Sequence, residues 1–338
     1  MRSGPELVRA SNPYAKEVPA TTWRLLLTTL ALYFTAFSAV ILVDNVAVRG
    51  AGAVLLGLLM IRIFIFYHDH LHGALLNNTR LGSAIMRAFG WWIMAGWSVW
   101  RQTHDYHHKN TAKMVGASIG SYPIVTVDMW RNITPAQRRM YKAARHPMTI
   151  LFGYITVFIL GMCISAFRRA PRQHVDGLIA LLVHFGGVGL VGWFFGWQAA
   201  LFAVVLPQFI ACALGSYLFY AQHNFPGMQI RGRQDWEYSF AALRSSSMFN
   251  MGPVMHWFTG NIGYHHVHHL NHRIPFYRLP EAMAGIPELQ DPCRTSWRPS
   301  DVMAALALKI WDPAQGKMIS YEEADGGPMP DGGLVSAK

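Results

Sequence analysis

The sequence has little charge and almost no cysteine. Only 14% of its 338 residues are Asp, Glu, Lys or Arg, whereas soluble domains typically carry about 25%. The three cysteines, Cys163, Cys212 and Cys293, are too few and too scattered for a disulfide framework or a cysteine-ligated zinc site. Residues 1–22 are polar and lack the short apolar core and cleavage site of a signal peptide. These absences argue against a soluble enzyme and against a disulfide-stabilised secreted protein.

Long apolar runs take the place of the missing charge. Hydrophobic residues make up 52% of the chain, and the mean hydropathy is +0.19. A helix needs roughly 20 apolar residues to cross a bilayer, and four runs meet that length. The predicted spans are residues 23–43, 48–67, 177–195 and 198–220. The net charge of +11 is then explained by Lys and Arg held at the cytoplasmic membrane face, without nucleic acid as a partner.

The basic loops fix the predicted topology. The loop 168–174 carries three arginines, and residues 101–147 hold eight Lys or Arg, so both are predicted to be cytoplasmic. The apolar stretch 148–167 between them then begins and ends on one side. We expect it to be interfacial or re-entrant, and we expect the same of 83–100. The prediction is an all-α integral membrane protein with four transmembrane helices and both termini in the cytoplasm.

The chain is predicted to form one membrane domain with two tails. Residues 1–22 are a cytoplasmic N-terminal tail, and residues 23–311 are the membrane domain. The domain ends in an amphipathic surface helix over 301–311. The segment 312–338, rich in Gly, Pro and acidic residues, is predicted to be a flexible tail.

Nine histidines lie at or near the ends of the apolar segments. They are His68, His72, His104, His107, His108, His223, His265, His268 and His269. The motif H-x-x-H-H occurs twice, and its positions i, i+3 and i+4 converge on one helix face. His68 and His72 share a face at i and i+4, whereas His70 points elsewhere. Since neutral imidazole is the commonest metal ligand, the pattern predicts a polynuclear metal site at the cytoplasmic membrane boundary.

The residues alone leave the metal open. All candidate ligands are nitrogen, and imidazole suits Zn, Cu, Fe and Ni. The H-E-x-x-H motif of zinc proteases is absent, and nine ligands exceed the four of a structural zinc site. Asp69 is placed to orient a ligand imidazole by accepting its second N–H. A metal transporter would need ionisable groups at mid-membrane, and these histidines lie at one surface.

The histidine motifs resemble those of the membrane fatty-acid desaturase family, most of all the acyl-lipid Δ12 or ω-6 type. HDHLHG (68–73) resembles the first histidine box of that family and HDYHHKNT (104–111) the second. FYAQHNF (219–225) resembles the site before the third box. WFTGNIGYHHVHHLNHRIPFYRLPEA (257–282) resembles the third box and its continuation. The resemblance covers about residues 20–285.

The resemblance implies a fold, a cofactor and a reaction. The fold is a four-helix membrane stem under a cytoplasmic helical cap. The nine histidines would hold two iron ions, and Asn261 would contact a metal ligand directly or through water. The reaction is O2-dependent desaturation of a fatty-acyl chain, giving a cis double bond. We expect an apolar tunnel in the stem and cap to hold that chain. Hydroxylases, ketolases and acyl decarboxylases share these motifs, so the residues leave those reactions open.

The resemblance also implies partners. The sequence has no convincing flavin, haem or iron–sulfur motif, so two electrons must come from a ferredoxin or a cytochrome b5-like protein. Basic residues predicted to lie in the cap are candidate docking charges for that donor: Lys109, Lys113, Arg231 and Arg233. The substrate would be a fatty-acyl lipid or a fatty acid. The expected location is a membrane of the bacterial inner-membrane type, with the active site cytoplasmic.

Overall fold

Four long apolar helices dominate the structure, a computed structural model that describes residues 2, 4–113 and 121–326. Each is long and apolar enough to cross a membrane. The four span helices, numbered 1 to 4 here, are Pro19–Leu42, Val46–Leu71, Val175–Phe195 and Trp197–Ala221. The predicted helical fold with four membrane helices is confirmed, because each predicted span overlaps one of these helices almost completely.

Span helix 2 is the centre of the stem. It is the most buried of the four and packs against span helices 1 and 4. Asn45 caps its start by accepting hydrogen bonds from the amides of Ala47 and Val48. The helix continues beyond the predicted span end at residue 67 and includes His68. The membrane helix therefore carries the first histidine motif directly out of the stem.

Outside the span helices, the described residues form shorter helices and two pairs of short strands. The α-helices outside the span helices are Gly4–Ser11, Arg80–Trp92, Trp97–Lys109, Val127–Asn132, Pro135–Ala144, Pro147–Leu151, Ala166–Arg169, Tyr238–Arg244, Gly252–Phe258, His265–Leu270, Leu279–Gly285, Pro299–Ala307 and Tyr321–Gly326. Asn12–Ala15, Phe276–Arg278 and Pro287–Leu289 are 3-10 helices, and Tyr154–Ser165 is π-helical, as is Leu201–Val205 within span helix 4. Met248–Asn250 pairs in parallel with Arg294–Ser296, and Ile310–Asp312 pairs antiparallel with Lys317–Ile319.

The apolar stretch predicted over 83–100 is two helices with a sharp break. Arg80–Trp92 ends before Met94, whose φ of +58° turns the chain. The next helix, Trp97–Lys109, begins where the Asp176 carboxylate accepts from the Ser98 amide at 2.7 Å and the Ser98 hydroxyl at 2.6 Å. An acid at a helix N-terminus satisfies a free amide and suits the helix dipole. This cap stabilises the start of the helix Trp97–Lys109, which carries the second histidine motif.

Part of the predicted flexible tail is folded. Residues 317–319 complete a hairpin with 310–312, and Tyr321–Gly326 packs on Val127–Asn132. Trp130 is fully buried there, stacks on Tyr321 at 5.0 Å and donates its indole N–H to Asp325 at 2.8 Å. Burial of this large side chain explains the order of a segment whose composition predicts flexibility. The rest of the predicted tail lies outside the described residues.

Candidate metal centre

Four helices bring the nine predicted histidines together. His68 lies in the last turn of span helix 2 and His72 follows that helix, while His104, His107 and His108 lie on Trp97–Lys109. His223 follows span helix 4, and the last three lie on His265–Leu270. The i, i+3 and i+4 spacing turns each motif toward the same interior. All nine side chains are buried.

The side chains form two groups. The group of five contains His68, His72, His104, His108 and His268, and the group of four contains His107, His223, His265 and His269. Within each group the candidate ligand atoms lie within 4.8 Å of one another. His268 is therefore separated from its motif partners His265 and His269, so each H-x-x-H-H motif contributes to both groups.

The ring nitrogens converge at ligand-like distances. In the group of five, His104 Nε2 lies 2.8 Å from His68 Nε2 and 3.2 Å from His108 Nε2. In the group of four, His223 Nε2 lies 2.9 Å from His265 Nε2 and 3.1 Å from His107 Nε2. Adjacent ligands on an octahedral ion with metal–nitrogen bonds of roughly 2.1 Å would be about 3 Å apart. The donor set therefore fits one metal ion in each group.

Burial keeps these imidazoles neutral. It lowers the pKa of most of the site histidines well below the usual value, and neighbouring imidazoles lower the pKa further. These residues are His72, His104, His107, His108, His265, His268 and His269. Burial also lowers the pKa of His223 to about 4. A metal ligand must be deprotonated, so these rings present free lone pairs at neutral pH.

Outer hydrogen bonds fix the tautomers of three rings. His68 Nδ1 lies 2.9 Å from Asp69 Oδ1, and His223 Nδ1 lies 3.1 Å from Ser245 O. The Thr111 hydroxyl donates to His107 O at 2.8 Å, so its oxygen accepts from His269 Nδ1 at 3.1 Å. A proton on Nδ1 leaves Nε2 free to bind metal. The sequence patterns did not indicate Thr111 or Ser245, although Thr111 lies four residues after His107.

Hydrogen bonds link Asn261 to the histidines through intervening groups. Its backbone is left-handed (φ +54°), and its side-chain amide donates to Phe276 O at 3.2 Å. The Phe276 amide in turn donates to Asp69 Oδ2 at 2.7 Å. Among the described residues, the side chain of Asn261 is therefore connected to the histidines by hydrogen bonds through the Phe276 backbone and Asp69. Within the described part of the chain, it forms no hydrogen bond with a histidine ring itself.

Three other histidines of the motifs are outside both groups. His70 Nδ1 donates to Leu75 O, and His266 Nε2 donates to Leu289 O, each at 3.0 Å. The His272 ring packs 4.7 Å from the His72 ring without joining the group of five. In HDHLHG, the pair that shares a group is therefore His68 and His72.

An apolar cavity of about 450 Å³ reaches the histidines. His68, His104 and His265 are part of its wall, which otherwise consists mainly of apolar residues from span helices 2 and 4 and the short helices. Examples are Met60, Phe64, Phe158, Met162, Ala211 and Phe219. None of its lining residues is acidic, and the exposed Arg169 lines it as well. An unbranched hydrocarbon chain matches such a wall, because the wall offers apolar contact and few hydrogen-bonding groups.

Replacement of Asp69 tests the orienting contacts. Both oxygens of Asp69 accept hydrogen bonds, and Asp69→Asn keeps only one acceptor, so the N–H of either His68 or Phe276 loses its partner. We expect metal affinity to fall by about 10- to 100-fold, measured as metal retained against increasing chelator. Asp128→Asn, at an exposed helix start, is the control. Unchanged retention in Asp69→Asn would contradict the orienting role.

The chain resembles known proteins over most of its length. A sequence profile described as fatty acid desaturase matches residues 45–299. A fatty acid desaturase of Bacillus subtilis is 26% identical over 264 residues, which cover 77% of this chain and 74% of the relative. An sn-1 acyl-lipid omega-3 desaturase (ferredoxin) of a Synechocystis species is 25% identical over 302 residues, covering 80% and 77%. A protein of the same name from a Nostoc species is 25% identical over 243 residues, covering 66% and 63%.

Proposed function

Since the chain belongs to the fatty acid desaturase family, we propose that it desaturates the acyl chain of a membrane glycerolipid. Two iron ions, O2 and two electrons from a ferredoxin-type donor would be required. The observation that carries this proposal is the pair of buried histidine groups at the wall of an apolar cavity. An oxidoreductase of this family needs both a redox metal centre and a dry site for the alkyl chain.

The proposed reaction needs a redox-active metal, which favours iron over zinc. A double bond forms when two neighbouring methylenes lose one hydrogen each, and O2, two electrons and two protons complete the balance to two waters. Zinc has no redox chemistry, whereas iron suits imidazole ligands. Iron, when bound, supplies the activation of O2. The nine histidines would hold the two ions in the two groups, and Asp69, Thr111 and Ser245 would keep three of the rings in the ligating tautomer.

The cavity would position the acyl chain. Its apolar wall excludes water from the reacting carbons, and the position of the chain against His68, His104 and His265 selects the carbon that is oxidised. Arg169 is the exposed residue among those that line the cavity. We propose that the chain enters on this side and that the lipid headgroup stays near Arg169. The acyl-lipid names of the Synechocystis and Nostoc relatives support a glycerolipid substrate.

The charge distribution supports a cytoplasmic active site. The basic loops 101–147 and 168–174 carry the excess of Lys and Arg, which favours the cytoplasmic side. Both histidine groups and both termini would then lie on that side of a bacterial-type inner membrane. The region 23–311 would act as a single membrane domain, preceded by a cytoplasmic N-terminal segment.

Fatty-acid analysis tests the proposed reaction. The chain and the His268→Ala variant would be expressed in a host that lacks the product and is supplied with ferredoxin and its reductase. Glycerolipids would be isolated, derivatised to locate double bonds, and analysed by gas chromatography–mass spectrometry. We expect a new cis-unsaturated acid in the glycerolipids of the wild type only. If hydroxylated acids or shortened alkenes form, the reaction is another oxidation and not desaturation. If no new product forms although iron and the donor are supplied, the proposal is overturned.

A further inference from the structure

Hydrogen bonds connect Trp236, which lies outside the stem, to a histidine of the group of four. The indole N–H of the half-buried Trp236 donates to Thr111 O at 2.9 Å. The Thr111 hydroxyl accepts from His269 Nδ1 at 3.1 Å, and His269 Nε2 lies 3.1 Å from His265 Nε2 inside the group of four. Two hydrogen bonds and one threonine therefore connect a partly exposed aromatic ring to a metal-ligand candidate.

Trp100, whose ring packs against a site histidine, has a different position. The Trp100 ring packs 5.1 Å from the His104 ring, and it lines the apolar cavity. A protein partner cannot dock inside that cavity. Trp236 combines partial exposure with a bonded connection to a site histidine, which Trp100 does not.

Basic side chains accompany Trp236. The Lys113 ammonium lies 4.9 Å from the Trp236 ring centre, a cation–π contact. Lys109, Arg231 and Arg233 are exposed and lie within five residues of Thr111 or Trp236 along the chain. We call these four residues with Trp236 the Trp236 patch.

The patch has a net positive charge. Along the chain, the acids closest to these residues are Asp235, Glu237 and Asp105, of which Glu237 pairs with Arg231 and Asp105 with Arg101, each at 3.9 Å. Residues 114–120, which follow Lys113, contain no charged side chain. Such a patch attracts an acidic partner and speeds its association at low ionic strength.

We propose that the Trp236 patch is the docking surface for an acidic ferredoxin-type iron–sulfur protein, and that Trp236 and Thr111 carry its electrons to the group of four. This inference rests on the proposed function. Each docking would oxidise one reduced ferredoxin by one electron, which the bound iron would accept, so one double bond would require two dockings. The bonded route through the Thr111 carbonyl, backbone and hydroxyl is short, which favours electron transfer over a path through solvent.

The test separates docking from electron transfer. Binding of ferredoxin to the metal-free enzyme would be measured by biolayer interferometry at several salt concentrations. Oxidation of reduced ferredoxin by the iron-loaded enzyme would be followed by stopped-flow absorbance. Turnover driven by dithionite, a small reductant that needs no docking surface, would be measured in parallel. Lys142→Gln is the matched control, because the Lys142 ammonium also lies over an indole, that of Trp130, at 5.5 Å.

Two variants have different expected results. Lys113→Gln combined with Arg233→Gln should weaken ferredoxin binding several-fold and reduce its salt dependence. Trp236→Phe keeps an aromatic ring but loses the N–H, so it should slow ferredoxin oxidation several-fold at saturating ferredoxin, whereas dithionite-driven turnover should fall by much less. Normal binding in the first variant or normal ferredoxin oxidation in the second would overturn the corresponding half of the inference. Equal loss with both reductants would also overturn the route, whereas no desaturation by the wild type with either reductant would reject the proposed function instead.

Discussion

His107→Ala and His268→Ala should each abolish desaturation while the protein remains folded in the membrane. His107 belongs to the group of four and His268 to the group of five, so each variant removes one ligand from a different group. Both rings are buried, and their pKa is lowered well below the usual value by desolvation. Each substitution therefore removes a neutral ligand from a buried position that an exposed side chain does not reach. Each variant should retain at most one firmly bound metal ion.

The control for these variants lies in the same motif. His266 is as buried as its neighbours, but its Nε2 donates to Leu289 O and it belongs to neither group. His266→Gln keeps a donor for that carbonyl and should retain both metal ions and most of the activity. Metal content by mass spectrometry and desaturation in the same preparations provide the comparison. Full activity in His107→Ala or His268→Ala, or metal loss in His266→Gln, would contradict the assignment of ligands.

Gly215→Leu should block the acyl cavity. Gly215 lines the cavity, and a Cβ added there meets no atom within 4 Å. The first side-chain atom of a leucine would therefore enter open space, and the substitution removes a helix-weakening glycine. The cavity of about 450 Å³ would lose length or width. We expect a large loss of activity on long acyl chains and a shift of the remaining products toward shorter ones.

A second glycine provides the matched control. Gly189 lies in span helix 3, also has no atom within 4 Å of an added Cβ, and does not line the cavity. Gly189→Leu should leave the product profile unchanged. The measurement is the chain-length distribution of unsaturated acids made by cells that express each variant at equal levels. An unaltered distribution and rate in Gly215→Leu would mean that the substrate does not occupy this cavity.

Local periodicity explains why the stem and the histidine motifs were predictable. Apolar runs give the span helices directly, and i, i+3 and i+4 spacing places His104, His107 and His108 on one face. The orienting contact of Asp69 was also predictable, because Asp69 is adjacent to His68. These features depend on residues within one or two helical turns of each other.

The partition of the histidines and their outer contacts depends on long-range packing. Thr111 and His269 are 158 residues apart in the chain, and their contact is set by how two helices meet. His70 and His72 differ only in which side of the helix end they occupy, so neighbouring structure decides that His72 joins the group of five. Similarly, the composition of the tail does not predict its order. The buried Trp130, which donates a hydrogen bond to Asp325 in the tail, lies almost 200 residues away from it in the chain.

The metal content of the purified protein tests the central claim most directly. The protein would be expressed with iron, purified in detergent without chelators, and measured for iron and zinc by mass spectrometry alongside its desaturation rate. Mössbauer spectra would show whether the iron ions are close enough to couple magnetically. The two histidine groups predict two coupled iron ions per chain, with activity proportional to the two-iron fraction. Activity in protein that holds one iron ion per chain, or only zinc, would contradict the account.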